Sequence, residues 1–484
     1  MGYNFSGTGK GTLIEFWLDP SNRIVWLILA LLVGICLRAY FLAQPMRYDE
    51  SYTFLNFIGQ DFRQVFYYPL PNNHVLYSVL TKMPIFAWGA HPVSIRFVAF
   101  LAGITLIPLI YFLCRTLNQS GVFASFTVAV FPYFVLYSTN ARGYTLLVLF
   151  TLILILIGVK IVRQLSILKV VLFSLVSALG MLTMPSMLFP IAGIYVWVLL
   201  LLLISSRPAK KVFYEFAVPS ILITSILTTL FYLPVIFASN GIHSIVANRF
   251  VEAQPWQDFI SEVHPHFYQT ILDFTRDIPD GLILAFTVLF AIGVYRAAQQ
   301  RKWPILLILP SVLLTSWILF VIKQRIPFER TWIYVIPFFI LIADYGFTYV
   351  TSVVSDRMQF FLKIALLITS LCFVFSLMSK NAIANYRDTG VFAEAEIVAK
   401  YLKPIMSKND LIHIRFPADW PVYYYLWHHN VPQVKVDGSS ESRNEYFVVK
   451  KSKYSIKNIT NKPYEMLIDI GDLALYRSTE VDNR

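Results

Sequence analysis

The sequence predicts an all-α polytopic membrane protein of about eleven transmembrane helices, with a small α/β domain at its C-terminus. Three observations predict it: the composition, the length of the apolar runs, and a change to polar text after residue 380. Of the 484 residues, 57% are hydrophobic and 14% charged, whereas roughly a quarter of a typical soluble domain is charged. That excludes a soluble globular protein, a disordered chain, a collagen and a coiled coil.

Apolar runs long enough to cross a bilayer occupy residues 24–43, 95–114, 121–138, 144–162, 167–183, 186–206, 214–238, 281–297, 304–322, 331–350 and 360–379. Pro132, Pro185 and Pro190 mark kinks or ends among them. The first 22 residues lack the pattern of a cleavable signal peptide, so the first run is expected to stay as an anchor. Short connections carry Arg115, then Lys160, Arg163 and Lys169, then Arg207, Lys210 and Lys211, then Arg296, Arg301 and Lys302, then Arg357 and Lys363. The positive-inside tendency places these in the cytoplasm. The longer loops, 44–94 and 239–280, the short segment 323–330 and everything after 380 then lie outside. The expected location is the plasma (inner) membrane, with a cytoplasmic N-terminus and an extracytoplasmic C-terminal domain. Residues 1–379 form the membrane domain and residues 380–484 the terminal one. In the latter, helical patterns near Val391–Leu402 and Trp420–His429 alternate with strand patterns at Leu411–Phe416, Val434–Val436 and Tyr446–Val449.

The net charge of +12 is first a topology signal, and nucleic acid is a poor partner for such a chain. Cys36, Cys114 and Cys372 all fall in apolar runs and suggest neither a disulfide framework nor a metal cluster. Chemistry is therefore sought in the outer loops. The first opens with Arg47-Tyr48-Asp49-Glu50, two adjacent carboxylates just beyond the membrane edge. Phe54, Phe57, Ile58, Phe62, Val65 and Phe66 follow at helical spacing, which predicts an amphipathic helix lying in the bilayer interface. On residue types alone the acidic pair also reads as a helix start favoured by the dipole.

Leu37-Arg38 with Tyr40, Asp49-Glu50, His74 with Leu76-Tyr77, Arg96 at the second span and Ala141-Arg142-Gly143-Tyr144 occur in an order and at spacings that resemble one family. It is the GT-C superfamily of polyprenyl-phosphate-sugar-dependent glycosyltransferases, in the branch of the protein mannosyltransferases and the aminoarabinose transferase of lipid A. The segment Arg330 to Pro337 is similar to a late helix of that family. His74 sits in Pro71-Asn72-Asn73-His74-Val75, where relatives often have a proline-rich stretch. The resemblance implies a GT-C-like fold and transfer of a monosaccharide, with inversion, from a polyprenyl-phosphate donor to a lipid, glycan or protein acceptor. It makes Asp49 the general base, with Glu50 orienting it or contacting the acceptor. Arg142, Lys323, Arg325 and Arg330 become candidates for the donor phosphate, since a guanidinium offers phosphate a two-pronged fork. Tyr48, His74, Tyr77 and Tyr144 are candidates for substrate contact.

His243, His264 and His266 share the large outer loop, so a divalent metal is conceivable there, but His264-Pro265-His266 fits no standard zinc spacing and a metal is not indicated. Arg38 is expected to snorkel or to pair with an acidic loop residue. Asp344 is expected to be a locally hydrogen-bonded acid. Two other functions share the class: a flippase for lipid-linked sugars, and a polymerase or ligase with a diphosphate-linked donor. The nearly charge-free centres of the spans count against the first.

Overall fold

The computed structural model describes residues 23–205, 207–239, 241–246, 252–386, 390–407, 410–431 and 444–479. Nine helices among them are long and apolar enough to cross a membrane: Ile24–Leu42, Pro92–Thr116, Tyr144–Arg163, Pro185–Ile204, Ala209–Ala238, Asp280–Gln299, Trp303–Lys323, Glu329–Ser352 and Asp356–Ser379. Each corresponds to one expected run. The other two runs behave differently. Residues 167–183 form a 17-residue helix, Ile167–Thr183. Residues 121–138 break into Val122–Val130 and Pro132–Ser138, with Phe131 extended between them.

Pro132 explains that break, because it has no N–H to return to the carbonyl of Val128. Arg38 fills the vacancy. Its guanidinium donates to the carbonyls of Val128 (3.1 Å), Ala129 (2.7 Å) and Gly34 (3.2 Å), and to the Ser138 hydroxyl (3.0 Å). Arg38 is fully buried, so it neither snorkels nor meets an acidic loop residue: the nearest unmet hydrogen-bonding need lay inside the bundle. Asp344 matches its expectation. Its two oxygens accept from the amides of Gly121 (2.9 Å) and Ala124 (3.0 Å), capping the Val122–Val130 helix. The tightest helix crossing depends on Gly346, where an added Cβ would collide with the Leu289 carbonyl.

The loops gather at two ends. At one, Asp49 meets Arg330, the Arg142 guanidinium reaches the Asn72 carbonyl, the Gln254 amide donates to the Gln324 carbonyl (2.8 Å) and the Tyr386 hydroxyl to the Asp273 carbonyl (3.3 Å). At the other, Arg207 donates to the Val162 carbonyl and Tyr345 to Gln300. This is the same division into two loop sets that the charge pattern predicts.

The first long loop departs from expectation. Tyr48–Thr53 is α-helical, Phe54–Ile58 π-helical and Phe62–Phe66 a 3-10 turn. Phe54, Phe57, Ile58 and Val65 are buried in protein, and of that stripe Phe62 stands out as exposed. A protein surface, instead of the bilayer, covers the apolar face. For Phe54 and Ile58 that surface is the C-terminal layer, while Phe66 packs with Val75, Tyr232 and Val235. The layer holds a sheet of β1 (Leu411–Ile414), β2 (Glu445–Lys450), β3 (Tyr464–Ile470) and β4 (Leu473–Ser478) in the order β1-β2-β4-β3. β1 and β2 are parallel, and the other neighbours are antiparallel. The expected strand at 434–436 lies outside the described residues, while β3 and β4 are additions. Alternation along β2 places Phe447 and Val449 against Ile456 and Tyr476 on one face. Tyr446 and Val448 on the other join a core with the helices Ala395–Leu402 and Asp419–His428, continuous with Met46, Phe54, Ile58 and Ile95. The sheet layer is therefore clamped onto the segment that carries Asp49.

Candidate active site

At the start of the Tyr48–Thr53 helix the Arg47 amide donates to Glu50 Oε2 (2.9 Å). Glu50 is fully buried. Its Oε1 accepts from Arg96 Nε (2.8 Å) and the Ala141 amide (2.5 Å), and its Oε2 from Arg96 Nη2 (2.7 Å). Burial pushes this carboxyl up, but the Arg96 charge and the Arg96, Arg47 and Ala141 donors outweigh it and hold Glu50 below the usual carboxylate range. Arg96 spends its remaining donors on the carbonyls of Leu42 (2.8 Å), Gln44 (2.6 Å) and Pro45 (3.0 Å). One buried ion pair thus ties together the turn before the helix, the helix itself and the 139–143 turn. Every Glu50 lone pair that points at a donor is in use, so its geometry is that of a clamp.

Asp49, one residue earlier, points the other way. Its Oδ2 lies 3.3 Å from Arg330 Nη2 and accepts no well-angled hydrogen bond among the described residues. Arg330 is steered by Nε donating to the Tyr144 hydroxyl (2.7 Å) and by its position over the Phe328 ring, 4.5 Å from the centroid. Beneath this pair, Arg142 donates to Thr53 Oγ1 (2.8 Å) and the Asn72 carbonyl (2.6 Å), and its Nη2 is 3.4 Å from His74 Nε2. His74 Nδ1 accepts from the Gly143 amide (2.7 Å), which puts the ring proton on Nε2. Burial, together with Arg142 and Arg330, keeps the His74 imidazole well below its usual range and hence neutral at pH 7. Asn73 pins the approach to His74 by donating to the carbonyls of Val65 and Tyr67, both at 2.8 Å.

Five expected residues thus converge: Asp49, His74, Arg142, Tyr144 and Arg330. Glu50 belongs to the clamp behind them. Tyr77 is fully buried with its hydroxyl on the Ile95 carbonyl (2.7 Å), which leaves it no access to a substrate. Tyr48 turns toward the sheet layer, its amide on the Gly390 carbonyl (2.9 Å) and its ring edge-on to Phe416. Lys323 ends the Trp303–Lys323 helix and is exposed, and Arg325 follows in the connecting loop. Among the described residues neither bonds to the Asp49 cluster. His266 uses both ring nitrogens within the protein, accepting from Trp332 Nε1 (2.8 Å) and facing Glu329 (3.3 Å). A cavity of about 460 Å³ lies between the Trp256–Thr275 helix, which carries His266, and residues 326–329, bordered by Glu262, Gln269 and Phe328. Arg96, part of the resemblance but without an expected role, and Asn72 are further members of the site. A charge at the mouth of a span was the available signal for Arg96.

With Glu50 neutralised by Arg96, the cluster sets two guanidiniums, Arg142 and Arg330, against one carboxylate, Asp49. That excess of one positive charge suits a phosphate-bearing ligand beside a basic carboxylate.

The apolar bundle, the buried first long loop and the docked sheet layer define a polytopic helical membrane protein with a small α/β layer. No family model and no curated protein sequence matches the chain. Solved structures do. The aminoarabinose transferase ArnT from Cupriavidus metallidurans in the apo state has a TM-score of 0.63 at 10% identity, covering 96% of this chain and 98% of its own. The same protein bound to undecaprenyl phosphate gives 0.62 at 11% identity, covering 94% and 97%. The archaeal oligosaccharyltransferase AglB from Archaeoglobus fulgidus, in complex with an inhibitory peptide and a dolichol-phosphate, gives 0.52 at 11% identity, covering 90% and 70%. At these identities the likeness is one of fold.

Proposed function

We propose that the protein transfers a single sugar from a polyprenyl-phosphate carrier to an acceptor hydroxyl at the extracytoplasmic face, with Asp49 as general base. The observation that carries this reading is the pairing of a carboxylate with an unused lone pair and an arginine 3.3 Å away, in a cluster with a net positive charge. Two neighbours in fold hold undecaprenyl phosphate and dolichol-phosphate, and the same lipid class is the donor proposed here. The acceptor oxygen attacks the anomeric carbon as the bond from that carbon to the phosphate oxygen breaks. Asp49 takes the acceptor proton, and Arg330 and Arg142 stabilise the departing lipid phosphate. A single displacement needs one base and inverts the anomeric centre. Lys323 and Arg325 guide the anionic headgroup toward the site from the loop. The positive-inside tendency of the basic loops supports a reading with the sheet layer outside.

The test is turnover by the full chain in nanodiscs, with polyprenyl-phosphate monosaccharides, an envelope extract as acceptor, and released lipid phosphate as readout. Wild type releases lipid phosphate and Asp49→Asn falls by about 10²–10⁴. Undiminished turnover by Asp49→Asn removes it as the base, and turnover confined to diphosphate-linked donors overturns the donor class.

A further inference from the structure

The helix that carries Asp49 has a second face that the transfer chemistry leaves unused. Asp49 and Thr53 turn inward to Arg330 and Arg142. Tyr48, Tyr52 and Asn56, spaced by four, follow a different line along the α-helical and π-helical turns, and Gln60 follows just past their end. The sheet layer walls the start of that line. Phe416 meets the Tyr48 ring at 5.1 Å and Trp420 meets the Tyr52 ring at 4.8 Å, both edge to face. Phe416 is 55% exposed. Beside Trp420, Asp419 has an enclosed Oδ1 that accepts no hydrogen bond among the described residues, and burial raises its carboxyl above the usual range. The line ends at a cavity of about 370 Å³ bordered by Leu55, Asn56, Gln60, Asp61 and Gln64.

The chemistry of this track is specific. Asn56 and Gln60 each anchor themselves through one amide N–H, to the carbonyls of Tyr52 (2.9 Å) and Leu55 (2.6 Å). Their oxygens and the Gln64 amide remain for a ligand among the described residues. Amides offer donors and acceptors together, as a ligand rich in hydroxyls requires. The cavity lining holds no cation, so the lipid phosphate belongs at Arg330 and not here. It holds one apolar side chain, Leu55, so an acyl chain would gain little by entering. The Tyr48, Tyr52, Phe416 and Trp420 rings along the track supply flat apolar faces for the C–H face of a pyranose. From Asp49 to Asn56 the helix rises about 10 Å, which leaves room for more than the reacting sugar.

Building on the transfer reaction proposed above, we infer that the acceptor is a neutral saccharide chain, bound along Tyr48, Tyr52 and the Asn56–Gln64 cavity with Asp419 at its flank. The test is calorimetric binding to the full-length Asp49→Asn protein in nanodiscs. The probes are linear gluco-, galacto-, manno- and N-acetylglucosamine oligosaccharides of a few units, and a serine-rich peptide. At least one oligosaccharide binds saturably. Gln60→Ala combined with Gln64→Ala weakens it at least tenfold, and Asn56→Trp, which fills the cavity, abolishes it, each in protein with wild-type thermal unfolding. No binding by any oligosaccharide, equal affinity in these variants, or peptide binding alone overturns the inference. Because binding is read without turnover, failure here is separate from failure of Asp49 as base, which shows as transfer surviving Asp49→Asn.

Discussion

Glu50→Gln separates a clamp from a catalyst. Both carboxylate oxygens are 0% exposed with Arg96, and each accepts two hydrogen bonds: Oε1 from Arg96 Nε and the Ala141 amide, Oε2 from Arg96 Nη2 and the Arg47 amide. Glutamine keeps the shape but has one oxygen, and in either orientation its NH2 faces two donors. Two hydrogen bonds are lost and the Arg96 charge is left buried without its counter-ion. Removing one partner of such a pair costs about 3–5 kcal/mol. The assay is reversible unfolding in mixed micelles by titrating a denaturing detergent, followed by tryptophan fluorescence, for Glu50→Gln, Arg96→Gln and the double variant. The double variant is expected to lose less than the sum of the singles, with a coupling of about 1–3 kcal/mol. A stability change within about 0.5 kcal/mol for Glu50→Gln, accompanied by lost turnover, would refute the clamp and restore Glu50 as a group that touches substrate. The pair also has a pH signature. Because the folded pKa is depressed, its stabilisation is full above the unfolded value of about 4.3 and fades as pH falls through the folded value.

Other outcomes follow from the same geometry. Arg330→Lys removes the fork that bridges Asp49 and Tyr144 and is expected to raise the KM for the lipid donor roughly 10–100-fold, the equivalent of about 1.5–3 kcal/mol for charge-assisted bonds; an unchanged KM removes Arg330 from the donor site. His74 is neutral when folded and titrates near 6.5 when unfolded, so stability falls by up to about 1.4 kcal/mol per pH unit below 6.5. His74→Asn should flatten that slope between pH 6.5 and 5, and a slope that persists assigns it to other groups. Gly346→Leu drives a side chain into the Leu289 carbonyl; it should separate the two crossing helices and lower the thermal unfolding temperature, whereas an unchanged unfolding temperature would show that the crossing yields.

Apolar runs and loop charges are local properties, so they were legible. The eleven runs, the two loop sets and the polar C-terminal layer each rest on a stretch of neighbours in sequence. Residues 54–66 have the periodicity of an interfacial helix, but periodicity reports an apolar face and not what covers it; Tyr424 and Trp427 cover Phe54 and the 232–235 region covers Phe66, both far along the chain. Arg38 looked like a snorkelling cation because the orphan carbonyls it serves belong to another helix.

Within the site, the order of residues along the chain sets which side-chain types stand at the membrane edge: an acidic pair, a histidine, arginines and tyrosines. Their division of labour follows from long-range packing. Asp49 and Glu50 are adjacent, but successive helical positions point about 100° apart. One carboxylate therefore faces Arg330 in the mouth of the cluster and the other faces Arg96 behind it. That assignment depends on which arginine each long-range contact delivers, and no pattern of neighbouring residues carries this information.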